Sequence, residues 1–129
     1  MHAKKDVYEY AILRVVPRVE RGEFLNVGVV VYCRSQSFLK VMITVDETRL
    51  LALFPDIDLD NIKAHLHSFE NICLGHKVAS PIARLDATSR FRWLTARRSS
   101  VIQASEVHPG LCSDANATLQ KLHEELVAI

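Results

Sequence analysis

The sequence predicts an α+β fold: one domain over residues 1–129, with an antiparallel sheet of about four strands and helices packed mainly on one face. Three observations carry this. Segments of β character cluster early, and helical spacing with capping residues dominates the middle and the end. Length matters too, because 129 residues make one domain able to bury about two thirds of its unfolded surface, with no metal or disulfide staple. Finally, no repeat and no low-complexity linker divides the chain.

The elements follow in order. Tyr8 to Val16 reads as a strand, rich in Tyr, Ile and Val and ended by Pro17. Leu25 to Arg34 is the clearest strand. Val27, Val29, Val31 and Cys33 fall on one side and Gly28, Val30 and Tyr32 on the other, so both faces are apolar and the strand is expected at the centre. Gly28 inside it points to a bulge or a close approach. Arg34 to Ser37 reads as a hairpin turn, followed by a strand from Phe38 to Val45. There Leu39, Val41, Ile43 and Val45 form an inner face, with Lys40 and Thr44 on a wet one. Asp46 caps a helix from Glu47 to Phe54, stopped by Pro55. Asp58 caps a longer one from Leu59 to Leu74, whose stripe of Leu59, Ile62, Leu66, Phe69 and Cys73 ends at Gly75, a C-cap residue. Ala87 to Leu94 reads as a short helix burying Phe91 and Leu94, and Ser100 to Ala104 as a fourth strand. Ser113 or Asp114 caps a last helix with the stripe Ala115, Leu119, Leu122 and Leu126. His108-Pro109-Gly110, between the last strand and that helix, reads as a turn.

Composition excludes several classes. A net charge of +1 argues against a polybasic nucleic-acid coat or an acidic tail protein. Three widely spaced cysteines, Cys33, Cys73 and Cys112, form no CxxC, so neither a disulfide framework nor a zinc site is expected. No apolar run approaches membrane length, and Met1 to Asp6 lacks the apolar core of a signal peptide. A cytoplasmic setting is expected, with no cofactor, no metal and no membrane partner.

Charge is nevertheless uneven. Arg84, Arg90, Arg92, Arg97 and Arg98 crowd one stretch with only Asp86 beside them, while Asp46, Glu47, Asp56, Asp58 and Asp60 lie earlier. Two segments set polar clusters directly against β-type runs: Arg21-Gly22-Glu23 with Asn26 before the Val-rich strand, and Arg98-Ser99-Ser100 before Val101-Ile102-Gln103, with His108 beyond.

These segments resemble the DUF3037 family of small bacterial proteins of unknown function, over almost the whole chain. The resemblance rests on Arg21-Gly22-Glu23, Asn26-Val27-Gly28-Val29, Phe91-Arg92-Trp93-Leu94, and Arg98-Ser99 with Gln103, Ser105 and His108. The family pattern often has a proline where this chain has Arg97, which raises the charge here. The resemblance implies a partner role beside a HipA-like kinase and supplies no catalytic residues.

The candidate ligand- or partner-binding residues are therefore Arg21, Glu23, Asn26, Arg92, Arg98, Ser99, Gln103 and His108. For Arg98, Ser99 and Ser100 three readings stand: a solvated basic surface with arginine stems over Trp93, an anion site built from guanidinium and hydroxyl donors, or a protein interface. Arg21, Glu23 and Asn26 form either a polar site at the mouth of the sheet or ordinary turn chemistry, with Glu23 paired to Arg21 or Arg18. His108 is a loop histidine or a ligand donor near Arg98. His65 and His67, two apart on a helix, project to different faces and make no metal pair. Cys33 and Cys73 read as core residues, and Cys112, before a helix N-terminus, as a candidate for a lowered pKa.

No nucleophile elbow, phosphate-binding glycine loop or dinucleotide fingerprint is present. The expected function is thus a non-catalytic partner-binding module. The second expectation is a phosphate- or nucleotide-binding protein or enzyme, in which Arg98, Ser99 and His108 hold the anion and Glu23 serves as base. The third, nucleic-acid binding through the same arginines, is weakened by the near-neutral charge. Convergence of Arg21, Glu23, Asn26, Arg98 and His108 on one concavity would favour a ligand site.

Overall fold

A computed structural model describes residues 5–75, 80–98 and 100–128. The strands are β1 (Asp6–Val15), β2 (Leu25–Cys33), β3 (Phe38–Ile43), β4 (Ile102–Ala104) and β5 (His108–Cys112). The helices are α1 (Glu47–Leu53), α2 (Leu59–Leu74), α3 (Ala87–Thr95) and α4 (Ala115–Leu126). Among the described residues all strand pairs are antiparallel, with five strands and four α-helices in an α+β domain. β2 lies between β3 and β1, and the other edge of β1 takes β4 against Leu13–Val15 and β5 against Asp6–Tyr10.

β5 is the strand that a reading by residue type misses. Pro109 lacks an amide donor and Gly110 lacks a side chain, and both argue for a turn. Pairing nevertheless sets Gly110 opposite Tyr8 and Pro109 opposite Glu9. β5 is an edge strand, where a missing donor is tolerated. Gly110 is also needed there, because a Cβ at that position would lie 2.6 Å from the Tyr8 ring. Between β4 and β5, Ser105 keeps the seam closed: its amide donates to the Ile12 carbonyl and its hydroxyl accepts from the Ile12 amide, both at 2.8 Å.

The bulge expected at Gly28 is present. Leu13 pairs with Gly28 but Arg14 with Asn26, so Val27 is the extra residue. The slip changes which face each residue serves. Val27 turns toward the same cluster as Val30 and Tyr32, whereas Val29 and Val31 pack on the opposite side. Strict alternation across Gly28 had put Val27 with Val29.

The larger core lies on one face of the sheet. Ala11, Leu13, Val15, Val30 and Leu39 meet Leu50 of α1, Ile62, Leu66 and Phe69 of α2, and Phe91 and Leu94 of α3. On the other face, Leu119 and Leu122 of α4 cover Val29, Val31 and Met42. Helices are therefore mainly on one face, and the outer face of β3, expected to be wet, is partly covered by α4. There Thr44 Oγ1 lies 2.8 Å from His123 Nε2. Asp46, Asp58 and Asp114 cap α1, α2 and α4, each accepting from a backbone amide of the first turn, and Gly75 ends α2 at φ 75°.

Candidate functional site

The two motif-like segments are handled differently by the fold. The first leaves β1 at Pro17, makes a 3-10 turn over Val19–Arg21, and reverses at Gly22 with φ 69°. Arg18 pairs with Glu20 at 2.8 Å, and Arg21 pairs with Glu23, all four side chains being more than half exposed. Each arginine thus has a carboxylate two residues away. Arg21 and Glu23 form one wall of a cleft of about 490 Å³, faced by Phe54, Pro55, Asp56 and Asp58 between α1 and α2.

Asn26 does not join them. It sits opposite Arg14, and its Nδ2 donates to the Leu126 carbonyl at 3.2 Å, tying β2 to the end of α4. Its role is to anchor that helix.

The second segment is built on α3. Asp86 caps the helix by accepting from the Ser89 amide at 2.7 Å. Hydrogen bonds from the Ser89 backbone and then its side chain hold the Asp86 carboxyl below the usual carboxylate range. Burying Phe91 and Leu94 turns Arg92 and Trp93 outward, and Trp93 remains 36% exposed. After the helix the chain folds back. The Arg98 guanidinium stacks on the Trp93 ring, 4.1 Å from its centroid, and donates to the Trp93 carbonyl. That bond satisfies a carbonyl of the last turn, where a cation is favoured. Gln103 Nε2 donates to the Ser100 carbonyl at 3.0 Å and pins the far end of the loop. Ser99 lies outside the described residues.

Arg90 is a brace and not part of this surface. It donates to the Leu85 carbonyl at 2.7 Å, and its guanidinium carbon comes within 3.3 Å of where a Cβ on Gly75 would stand. Arg92, Arg97 and Arg98 are different. Among the described residues the ion pairs are Arg18–Glu20, Arg21–Glu23 and Lys63–Glu47, and none involves these three arginines. Their charge is left uncompensated beside an exposed tryptophan.

His108 is also apart. It is exposed on β5, its ring 5.3 Å from that of Tyr10, so its neighbour is an aromatic ring and not Arg98. Of the eight candidate residues, the fold joins Arg21 to Glu23 and brings Arg98 and Gln103 into one cleft at the α3–β4 end, while Arg92 is exposed on α3 and does not line that cleft. Asn26 and His108 go elsewhere, so the five residues whose convergence would mark a ligand pocket do not converge.

Residue types alone mark His65 only as half of a rejected metal pair and do not single out Ser68. His65 and Ser68 line a cleft of about 110 Å³ with Trp93, Arg98, Ser100 and Gln103. The signal was their i, i+3 spacing beside the stripe of α2, which puts them on one flank. His67 faces a separate recess with Lys63 and Glu70, in keeping with its two-residue offset from His65. Cys112 corrects an expectation. Burial, followed by the nearby Cys33, pushes its thiol up despite its place before α4. Cys73 is likewise pushed up by burial, to about 12.

Fold and site together define a small α+β domain that presents a basic, tryptophan-bearing helix surface. The chain belongs to the DUF3037 family, proteins of unknown function, whose model matches residues 10–127 and so takes in both charged segments. No curated protein and no solved structure matched the chain. Among the described residues, no helix is long and apolar enough to cross a membrane.

Proposed function

We propose that the protein is a non-catalytic partner-binding module that docks an acidic protein surface through α3 and the segment after it. One observation carries the reading: Arg98 lies on the Trp93 ring, Arg92 and Arg97 are exposed within the same short stretch of chain, and no carboxylate pairs these arginines among the described residues. Trp and Arg are the side chains that most often dominate interface energetics. Unpaired arginines contribute little to folding and give electrostatic complementarity to an acidic partner. A HipA-like kinase is the partner that the family resemblance implies. A cytoplasmic location accords with three free cysteines.

An enzymatic reading with Glu23 as base has less support, because Glu23 is paired to Arg21 in a cleft that includes neither Arg98 nor His108. The nucleic-acid reading stays weak at a net charge of +1.

The test is direct binding of the purified protein to the HipA-like kinase of the same organism. Wild type should bind with an affinity that falls as salt rises. Arg92→Glu with Arg97→Glu should weaken binding at least about tenfold, the order of 1.4 kcal/mol. Arg21→Glu should leave it unchanged. Absence of binding by wild type, or full binding by the double charge reversal, would overturn the proposal.

A further inference from the structure

The small cleft between α2, α3 and β4 has a donor set of its own. His65 and Ser68 come from one flank of α2, Arg98 from the loop after α3, and Ser100 from the approach to β4. No aspartate or glutamate is among its described lining residues, and apolar side chains there are Phe69, Ile72, Leu94 and Ile102. Among the described residues the side chains of His65 and Ser68 have no hydrogen-bond partner, and Arg98 spends one donor on the Trp93 carbonyl while keeping others. Imidazole, hydroxyl and guanidinium groups lining one cleft over an apolar floor, with no carboxylate among the described lining residues, leave a site that an oxyanion completes.

Size decides which oxyanion. At about 110 Å³ the cleft has room for a group on the scale of a few waters, at about 30 Å³ each. It lies well below the roughly 300 Å³ at which pockets for whole drug-sized ligands begin. A nucleotide would not be enclosed, but a single phosphoryl group would. Donors approaching from three elements suit a tetrahedral group with three terminal oxygens better than a planar carboxylate with two, and the planar fork of Arg98 matches phosphate geometry.

We infer that this cleft binds one phosphate group, free or as a monoester, through His65, Ser68, Arg98 and Ser100. Docking at Arg92 and Arg97 is separable from it, since neither residue lines the cleft.

The test measures the melting temperature of the whole protein in sodium phosphate, sodium acetate and sodium chloride at matched ionic strength. A phosphoserine peptide and its unphosphorylated twin form separate arms. Phosphate should raise the melting temperature by several degrees above acetate and chloride, by binding linkage. Ser68→Ala and His65→Ala, both exposed positions, should melt like wild type in chloride and lose at least half of the phosphate increment. Arg92→Glu with Arg97→Glu should keep it. A shift by the phosphopeptide at lower concentration than inorganic phosphate identifies a monoester as the source, and the reverse order identifies free phosphate. Equal shifts in phosphate and acetate, or a phosphate increment untouched by both Ser68→Ala and His65→Ala, would overturn the inference.

Discussion

The turn after β1 and the segment after α3 hold the same chemistry and end in opposite states. Each places two or more arginines just before a strand. In the turn, Arg18 and Arg21 meet Glu20 and Glu23 two residues on, so the charge is cancelled locally and the segment faces water as a neutral hairpin corner. After α3 no carboxylate is near in sequence, and none pairs with Arg92, Arg97 or Arg98 among the described residues. Arg98 turns instead to the π face and carbonyl of Trp93, which fixes its position without neutralising it. Charge-rich segments that look alike therefore divide on one question: whether the counter-charge is built in.

The largest test of this contrast strikes the scaffold that holds both segments apart. Val29 is fully buried against α4 at the centre of the sheet. Val29→Asp should unfold the domain, because an unpaired buried carboxylate costs several kcal/mol. A cooperative melt near the wild-type temperature would refute the sheet assignment.

Next in size is the cap of α3. Asp86→Ala removes the acceptor for the Ser89 amide and should lower the melting temperature by about 4 °C. Its pH dependence has a definite sign. The folded carboxyl titrates below its unfolded value, so the stabilisation is present above the ordinary aspartate range and is lost as pH falls through the lower folded pKa. Asp86→Asn should flatten the part of the acid limb of stability against pH that wild type owes to this group. An acid limb identical to wild type would contradict the cap's electrostatic role.

The smallest effect belongs to the compensated segment. Arg21→Ala breaks an exposed ion pair and should change stability by less than about 1 kcal/mol. It should leave anion and partner binding intact, whereas Arg98→Ala should weaken both with little loss of stability. Calorimetric stability and binding measured on both variants would expose a reversal of that order.

Much of this arrangement was legible in the sequence, for physical reasons. Caps at Asp46, Asp58 and Asp114, the Gly75 terminus and the stripe of α2 are local signals, and local signals survive folding. The pairing of Arg21 with Glu23 is equally local. What was not legible depends on distant neighbours. β5 is a strand because Tyr8, a hundred residues upstream, lies over a glycine, and Pro109 tolerates the edge. Val27 changes face because the pairing slips by one residue at Gly28. Asn26 was grouped with Glu23 by nearness along the chain, yet register turns it to Leu126. His65 and Ser68 gain meaning only when α3 brings Arg98 across to α2.

Trp93 allows the central claim to be measured in solution, because it is the single tryptophan of the chain and Arg98 lies on its ring. Its fluorescence can be followed while polyglutamate or polylysine is added at matched ionic strength. An uncompensated basic surface predicts a saturable change with polyglutamate, none with polylysine, retention of the response in Arg21→Ala, and its loss in Arg92→Glu with Arg97→Glu. A wild-type spectrum indifferent to polyglutamate, or a response that survives the double charge reversal, would contradict it.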